Sequence, residues 1–266
     1  MELSIVIVSF NTSELLRKCL LSIEKEKKQN GLEIIVVDNF SQDGSPQMVR
    51  KEFPAVTLIE AGKNVGFSKA VNIGLGVAKG EAVLLLNSDT RVINGSLEHL
   101  LKVEKDVRPA IIGLKMINTD GSVQPSVFHL PGVKGAFAEY WWGKKGSYSK
   151  YEPSGVNINV VEAVSGGAML ISRTVLDKIG FLDERYFMYF EDLDYCRRAK
   201  RAGIKIYYLP YAEVIHEHGA SGKNLVSSEN QWRRLVPSSK IYHGIAKHFL
   251  INFIIWSGQK INHLWH

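Results

Sequence analysis

Asp89 stands almost directly after an apolar run, with only Asn87 and Ser88 between it and the predicted strand Ala82 to Leu86. A carboxylate at a strand end suits a hard cation that prefers oxygen ligands, such as Mg²⁺ or Mn²⁺. One carboxylate is a sparse ligand set, which the phosphate oxygens of a ligand would have to complete. The alternative for this segment is an ordinary polar turn.

Two further predicted strands end in polar residues. The run Leu3 to Phe10 has Ser9 near its end and is followed by Asn11. The run Glu33 to Val37 is followed by Asp38. Taken alone, Asp38 is better explained as a turn or a helix cap. Ligands of parallel sheets, however, bind outside the carboxyl ends of the strands, so three polar strand ends together indicate a binding site.

Glu191 and Asp192 are adjacent carboxylates at the predicted start of a helix that runs to Arg201. They follow an aromatic segment, Phe181 to Tyr189, so one of them could act as a general base in a partly apolar cleft. Stabilisation by the helix dipole and capping explains the pair equally well. The residues leave both interpretations open.

Two histidines, His216 and His218, follow the strand-like run Ala212 to Ile215. Histidine pairs can ligate metal, but the H-E-x-x-H spacing of zinc proteases is absent. One of the two is a candidate metal ligand, and a structural or exposed histidine is the alternative.

The elements that must position these residues alternate between strand and helix in the first half, which predicts an α/β fold with a mostly parallel, helix-flanked sheet. The second half is more mixed. Pro109 to Ile117 and Val160 to Ile171 read as strands, separated by a loop-rich insertion. In that insertion Trp141 and Trp142 could form a substrate lid, but a local packing anchor explains them at least as well.

The 266 residues have the composition of a folded globular protein, with 45% hydrophobic and 23% charged residues. Cys19 and Cys196 are too few for a disulfide scaffold, which predicts a reducing compartment, and both fall on apolar helix faces that predict core packing. No run reaches the ~20 apolar residues that span a bilayer. We therefore expect a cytoplasmic protein, either free or peripheral on the inner face of the cell membrane. The glycine spacing matches neither the P-loop nor the dinucleotide-binding motif, which argues against both of those classes of protein.

The segment 231–266 carries five Lys or Arg, no Asp or Glu, and three of the five tryptophans. Apolar residues recur in it at helical spacing: Ile241, Ile245, Phe249 and Phe253. This predicts a helix that is too short to span a membrane but suits its surface, with Trp256 and Trp265 at the headgroups. Packing on the rest of the chain, or on a second copy in a homodimer, is the alternative. Nucleic acid is not an expected partner, because nothing else in the chain forms a basic stripe.

Seven segments occur in a recognisable order: SIVIVSFN, VVDNFSQDGS, GKNVGFSKAVNIGL, LLLNSDT, SGGAMLISR, GFLDERYFMYFEDLDYCRRAKRAG and VIHEHGAS. Together they resemble a family 2 glycosyltransferase of the GT-A fold, in its rhamnosyltransferase-like branch. They cover Leu3 to Ser221, and the ordered set is far more specific than any one motif. The resemblance implies a Rossmann-like, mostly parallel sheet in residues 1–230, with 231–266 as a helical appendage.

The resemblance also implies a nucleotide-diphosphate sugar donor, a dTDP- or UDP-sugar, with rhamnose as the candidate sugar. Asp38 would hold the nucleotide base, with the loop 64–66 beside it. The donor-binding residues that it implies are Ser9, Asn11, Asp38, Asn64, Gly66, Asn87, Ser88 and Asp89. A divalent metal, Mn²⁺ or Mg²⁺, would be held by Asp89 and His216. Asn87 replaces the first acidic residue of the usual D-x-D motif, which leaves one charge fewer at the metal.

For the reaction, the resemblance implies an inverting transfer in which Asp192 is the catalytic base. The acceptor would be a glycan or a lipid-linked glycan in the synthesis of a cell-surface polysaccharide. The acceptor-binding residues would be Gly166, Gly167, Glu191, Trp141 and Trp142. Two other classes stay open: a metal-dependent hydrolase of sugar nucleotides that uses Asp89, His216 and His218, and a catalytically silent carbohydrate-binding scaffold.

Overall fold

The computed structural model of the chain describes residues 1–26, 31–217 and 228–264. The strands within these ranges are β1 (Leu3–Ser9), β2 (Leu32–Asp38), β3 (Thr57–Glu60), β4 (Ala82–Asn87), β5 (Thr90–Val92), β6 (Ala110–Ile117), β7 (Val123–Gln124), β8 (Val127–Phe128), β9 (Asn159–Val161), β10 (Ala163–Val164), β11 (Ala168–Ser172) and β12 (Lys205–His216). The helices are α1 (Ser13–Glu26), α2 (Ser45–Glu52), α3 (Phe67–Val77), α4 (Ser96–Val107), α5 (Val133–Tyr140), α6 (Arg173–Ile179), α7 (Glu191–Arg201), α8 (Ser228–His243) and α9 (Ile245–Leu264).

A mixed sheet of ten strands forms the centre, and its main path is β3-β2-β1-β4-β11-β6-β12-β5. Strands β1 to β4 run parallel, and their register sets Ser9 beside Asp38 and Val8 beside Asn87. The predicted fold class is therefore confirmed, and the polar ends of three strands meet at one edge. The antiparallel strands β11 and β5 make the second half of the sheet mixed.

Apolar residues fill both faces of this sheet, as near-continuous apolar strands require. Helices α1, α2 and α4 cover one face, and α3, α6 and α7 cover the other. Cys19 and Cys196 are free thiols, one in each of the two cores, which confirms their predicted packing role. Burial raises the pKa of both thiols to about 12, so neither is a nucleophile at neutral pH.

The single strand predicted over Val160 to Ile171 is wrong. The segment divides into β9, which pairs with β12, β10, which pairs with β8 in a small second sheet, and β11 in the main sheet. The turn 165–167 separates the last two. A Cβ on Gly167 would lie 2.9 Å from Met116 Cε and 3.1 Å from Asn87 Nδ2, so a side chain there would require the end of Met116 to move.

Strand β12 is longer than the predicted run Ala212 to Ile215, because it begins at Lys205 and continues across an irregularity between Leu209 and Glu213. It pairs with β5 and sets His216 opposite Thr90. The backbone N–H of Glu217 then donates to the carbonyl of Asp89 at 2.9 Å. His216 thus arrives at the same sheet edge as the polar ends of the first half.

Two helices lie where the sequence indicated none, α4 and α5, the second inside the predicted loop-rich insertion. The C-terminal segment forms α8 and α9, and α9 packs along α5. Among the residues that the structure describes, no helix combines the length and the apolar character needed to cross a bilayer. The expected boundary at residue 230 stays a prediction, although α8 already contributes to the cleft described next.

Candidate active site

A cleft of about 480 Å³ opens at the edge where the strands β1, β4 and β12 end. Its lining includes the strand ends and the loop 64–67. It also includes the turn 165–167, the segment 187–193, and Arg234 and Leu235 of α8. The cleft therefore draws on nearly the whole length of the chain, from Val8 to Leu235.

A chain of hydroxyl groups ties the first and fourth strand ends together. Ser9 Oγ and Thr12 Oγ1 are 3.0 Å apart, and Thr12 Oγ1 donates to Ser88 Oγ at 2.9 Å. All three residues are buried. Ser88 lines the cleft, whereas Ser9 lies beneath it and fixes the turn. The sequence indicated Ser9 and Ser88 but not Thr12, which joins them.

Asn11 and Asp38 hold the loop that follows β2. Asn11 has a φ of 53°, and its Oδ1 accepts a hydrogen bond from the N–H of Gln42 at 2.7 Å. Asp38 Oδ2 accepts one from the N–H of Ser41 at 2.9 Å. Asp38 Oδ1 is buried and has no hydrogen-bond partner among the described residues. Such an oxygen is costly to leave unpaired, which is expected where a bound molecule supplies the donor.

Asn39 braces the loop 64–66, a role that the sequence did not reveal. Its Nδ2 donates to Asn64 Oδ1 at 3.1 Å, and its Oδ1 accepts from the N–H of Val65 at 2.9 Å. Gly66 has a φ of 87°, and a Cβ there would lie 2.6 Å from the carbonyl oxygen of Phe187. Only glycine allows this close approach between the loop 64–66 and the segment 187–193.

Asp89 and His216 form a buried pair between the ends of β4 and β12. Asp89 Oδ1 lies 3.2 Å from His216 Nε2, and Asn87 Nδ2 lies 3.5 Å from the same nitrogen. The described residues contain no cluster of three or more His, Cys, Asp or Glu side chains. A cation here would thus find two protein ligands and would need further oxygens from a bound molecule. The other candidate ligand, His218, lies outside the described residues.

Gln124 in β7 orients the histidine. Its Oε1 lies 2.8 Å from His216 Nδ1, and since an amide oxygen only accepts, Nδ1 carries the proton. In the neutral imidazole this leaves the lone pair on Nε2, which faces Asp89, as a metal ligand requires. No local sequence pattern indicates this role, because Gln124 is 92 residues away from His216.

Removing this acceptor is expected to weaken metal binding. Gln124→Leu should lower the Mn²⁺ affinity measured by calorimetry, with a nucleoside diphosphate present, by about 10–100-fold, the usual effect of losing such a partner. Gln124→Glu keeps an acceptor opposite Nδ1 and should restore most of the affinity. A Leu variant that titrates like the wild type would contradict the role of Gln124.

Asp192 enters the cleft at the start of α7. Its Oδ2 accepts a hydrogen bond from the N–H of Gly166 at 3.0 Å, and its Oδ1 accepts from the N–H of Leu193 at 2.8 Å. The two preceding residues, Tyr189 and Phe190, have φ values of 70° and 68°. Strained backbone of this kind is typical of functional sites. It turns the chain so that the helix begins at the cleft.

The neighbouring Glu191 lies in a different environment. The side chain is buried, its Oε2 has no hydrogen-bond partner among the described residues, and it lines the cleft. Burial, with the charge of Asp192 as the second cause, raises the pKa of Glu191 to about 8. At neutral pH Glu191 is therefore mostly a neutral acid, and Asp192 is the better candidate for a base.

This difference predicts a pH dependence of stability. Between about pH 4.5 and 8 the folded chain holds a proton on Glu191 that the unfolded chain releases, so the free energy of unfolding falls as the pH rises through this range. Glu191→Gln should reduce that fall by on the order of a few kcal/mol. Urea denaturation of both proteins at the two ends of the range measures it, and parallel pH profiles would contradict it.

The predicted acceptor residues divide into two groups. Gly166 and Gly167 line the cleft, but Trp141 and Trp142 do not. Trp141 Nε1 donates to the carbonyl of Ile254 at 3.2 Å, and both indoles contact Phe137. For Trp141 this is the packing role that the sequence left as an alternative, whereas Trp142 is largely exposed, and nothing in the cleft geometry supports an acceptor role for either.

Two cations line the cleft that the sequence did not single out, Lys150 and Arg234. Lys150 Nζ lies 5.3 Å from the centre of the Phe128 ring, and Arg234 Cζ lies 5.8 Å from that of Phe187. No described carboxylate forms an ion pair with either. Burial lowers the pKa of Lys150, and the charge of Asp192 opposes this. The cleft thus offers positive charge to an anionic ligand.

Comparison with known proteins adds to this geometry. Residues 4–180 match the model of the glycosyl transferase family 2. Over 240 residues the chain is 31% identical to the N-acetylglucosaminyl-diphospho-decaprenol L-rhamnosyltransferase of Mycobacterium tuberculosis, covering 82% of this chain and 77% of that protein. It is 27% identical to the dTDP-rhamnosyl transferase RfbF of Shigella flexneri, covering 80% and 68%.

The fold resembles that of the mannosyltransferase PcManGT from Pyrobaculum calidifontis, solved in complex with GDP-Man and Mn²⁺. The TM-score is 0.65 at 17% identity, with 97% of this chain and 73% of that chain covered. At this identity the likeness concerns the fold alone. With the family model matching well over half of its length and a relative above 30% identity, the chain belongs to glycosyl transferase family 2 and is a glycosyltransferase.

Proposed function

We propose that this enzyme transfers rhamnose from dTDP-rhamnose to a hydroxyl of a lipid-linked glycan, with inversion and with the help of a divalent metal. The observation that supports this best is that one cleft is lined both by His216, which pairs with Asp89, and by Asp192. The first can hold the leaving group and the second can accept a proton, as a single displacement requires.

The donor half is proposed to lie at the ends of β1, β2 and β4. The unpaired Asp38 Oδ1 would accept a hydrogen bond from the nucleotide base, and the braced loop 64–66 would lie beside it. Ser88 and Asn87 line the cleft nearby. The choice of dTDP-rhamnose is supported by the names of the two relatives, a dTDP-rhamnosyl transferase and an L-rhamnosyltransferase.

The metal site fits its proposed ion. A buried carboxylate oxygen and an imidazole nitrogen whose lone pair is directed by Gln124 are donors that Mn²⁺ accepts. Asp89 and His216 would hold the ion, and the bound ion would neutralise the charge that develops on the departing diphosphate. Because Asn87 replaces a carboxylate of the usual motif, more of the metal's coordination shell is left to the diphosphate. The metal and the donor should therefore bind together.

Asp192 is proposed as the general base. Its two backbone hydrogen bonds fix the orientation of the carboxyl group, while the cleft supplies room for an acceptor hydroxyl. The hydroxyl proton passes to Asp192 as the oxygen attacks the anomeric carbon and the diphosphate leaves, which inverts the configuration. Glu191, mostly protonated at neutral pH, would donate a hydrogen bond to the acceptor.

The acceptor is proposed to be a glycan linked to a lipid through a diphosphate, the kind of molecule that the name of the mycobacterial relative contains. Lys150 lies close enough to Asp192 for their charges to interact, so it is placed to pair with an acceptor phosphate while the sugar reaches the base. Such an acceptor resides at a membrane. Peripheral contact with the cytoplasmic membrane face is therefore part of the proposal.

Rates of transfer from dTDP-rhamnose, UDP-hexoses and GDP-hexoses at equal concentrations, each with and without Mn²⁺, test the proposal. We expect the fastest transfer from dTDP-rhamnose and a requirement for metal. Faster transfer from a UDP-hexose would overturn the donor. Hydrolysis of the donor without any acceptor would instead favour a hydrolase, and metal-independent donor binding would remove the proposed metal site.

A further inference from the structure

The helix α9 leaves one of its faces uncovered. Four large apolar residues at helical spacing form this surface, which we call the α9 outer face: Ile245, Phe249, Phe253 and Trp256. Between 54% and 67% of each of these residues is exposed, and the neighbouring Leu250 is 47% exposed. Single exposed apolar residues are common, but a contiguous stripe of this kind marks an interaction site.

The opposite face of α9 is fixed against the rest of the protein. Ile251 and Ile254 are buried against α5, and a Cβ on Gly258 would lie 2.5 Å from the carbonyl oxygen of Tyr140. The helix is therefore already packed as closely as its backbone allows. Intramolecular packing accounts for one face of α9 and leaves the α9 outer face without a partner among the described residues.

Lysines accompany the aromatic residues of this surface. Lys260 Nζ lies 4.7 Å from the centre of the Trp256 ring, and Lys240 Nζ lies 5.5 Å from that of Phe249. The whole segment 231–266 contains no Asp or Glu. Long basic side chains that lie along aromatic rings and keep their charged ends outward are typical of interfacial helices.

The loop after α5 adds a second element of the same chemistry beside α9. Trp142 is 67% exposed, and Lys144 Nζ lies 5.8 Å from the centre of its ring. The hydrogen bond from Trp141 to Ile254 holds this loop next to the helix. The same segment continues to Tyr148 and Lys150, which line the cleft. The surface and the cleft are thus connected by one short stretch of chain.

We propose that the α9 outer face, together with Trp142, docks the enzyme on an anionic lipid bilayer. The inference rests on the proposed function in one respect, because a lipid-linked acceptor gives docking its purpose. Aromatic rings at headgroup level, an apolar stripe and basic flanks without acidic residues are the complement of such a surface. The segment 142–150 then leads from the bilayer to the cleft.

A second copy of the chain is the competing occupant, and charge argues against it. In a two-fold symmetric dimer the same patch meets itself, so Lys240 and Lys260 of both copies would come together. No acidic residue of 231–266 could offset them. Like charges facing each other across an interface are unfavourable. An anionic bilayer turns the same lysines into attraction.

Co-sedimentation of the full chain with vesicles tests the proposal. We expect binding to vesicles of phosphatidylcholine mixed with phosphatidylglycerol, and weaker binding to phosphatidylcholine alone. Replacing Ile245, Phe249, Phe253 and Trp256 with Ser should weaken binding to the anionic vesicles more than about tenfold. Lys240→Gln with Lys260→Gln should weaken it about thirtyfold on the same vesicles, since each lysine contributes separately.

A matched control replaces exposed apolar residues elsewhere, Leu21, Val156, Val160 and Tyr211, with Ser. This control should bind vesicles like the wild type, and thermal melting should show all variants folded. Equal binding by the wild type and the outer-face variant would overturn the proposal. So would absence of wild-type binding to anionic vesicles at low salt, and light scattering would then show whether a dimer covers the face.

The outcome is separable from that of the proposed function. Transfer from dTDP-rhamnose to a short water-soluble acceptor does not need a bilayer, so the outer-face variant should keep the wild-type rate in that assay. Loss of vesicle binding with transfer intact supports docking. Vesicle binding by a wild type that transfers no sugar would refute the proposed reaction and leave the surface standing.

Discussion

Replacing Asp192 with Asn is expected to lower the rate of sugar transfer by about 10²–10⁴-fold, the usual cost of losing a general base. The amide cannot take the proton of the acceptor hydroxyl. Donor binding should be nearly unchanged, because the proposed donor site is formed by the ends of β1, β2 and β4 and does not use the Asp192 carboxylate. Single-turnover rates, with donor affinity from calorimetry, separate the two effects.

Glu191→Gln is the matched control for this variant, because it changes the neighbouring carboxyl at the same helix start. Glu191 is mostly neutral at pH 7, so its amide analogue should lose far less activity than Asp192→Asn. Asp192→Asn also weakens one of the two backbone hydrogen bonds of this side chain. A melting curve would show whether this change lowers the stability of the fold. Wild-type turnover by Asp192→Asn, with Glu191→Gln inactive, would reverse the assignment.

Removing either member of the metal pair is expected to have an effect of comparable size. Asp89→Ala and His216→Ala should each weaken Mn²⁺-dependent binding of dTDP by more than about 100-fold, because losing an outer partner alone costs about 10–100-fold. With only two protein ligands in the described cleft, neither can replace the other. Calorimetry with and without Mn²⁺ measures the loss directly and does not depend on turnover.

Two controls make this result specific. Asp106→Ala removes an exposed carboxylate near the end of α4, a helix that contributes no residue to the cleft, and should leave dTDP binding unchanged. His218→Ala is expected to be milder than His216→Ala. If wild-type dTDP binding proves independent of Mn²⁺, or if Asp89→Ala binds like the wild type, the proposed metal site is wrong.

The sequence by itself determined the fold class and the edge at which the site lies. Strands buried on both faces require near-continuous apolar runs, and Leu3–Ser9 and Ala82–Asn87 show them plainly. In parallel strands the carboxyl ends coincide, so the chain order alone places Asp38 and Asp89 at one edge. The motif order then predicted the family correctly.

Only the tertiary structure decided how the candidate residues are held. Gln124 and His216, or Asn39 and Asn64, are far apart in the chain, and no local periodicity relates them. The same holds for Trp141, whose indole N–H donates to the carbonyl of Ile254 in a helix more than a hundred residues later.

Burial also emerges only from the folded chain. Glu191 and Asp192 are equivalent carboxyls in the sequence, yet the structure buries the first without a hydrogen-bond partner for Oε2 and gives the second two backbone donors. Burial favours the protonated form of Glu191, whereas the two backbone donors fix the orientation of the Asp192 carboxyl group. The local sequence pattern determines which helices and strands form, because it depends on residues that are neighbours in the chain. The charge state of a carboxyl group instead depends on groups that meet only after folding.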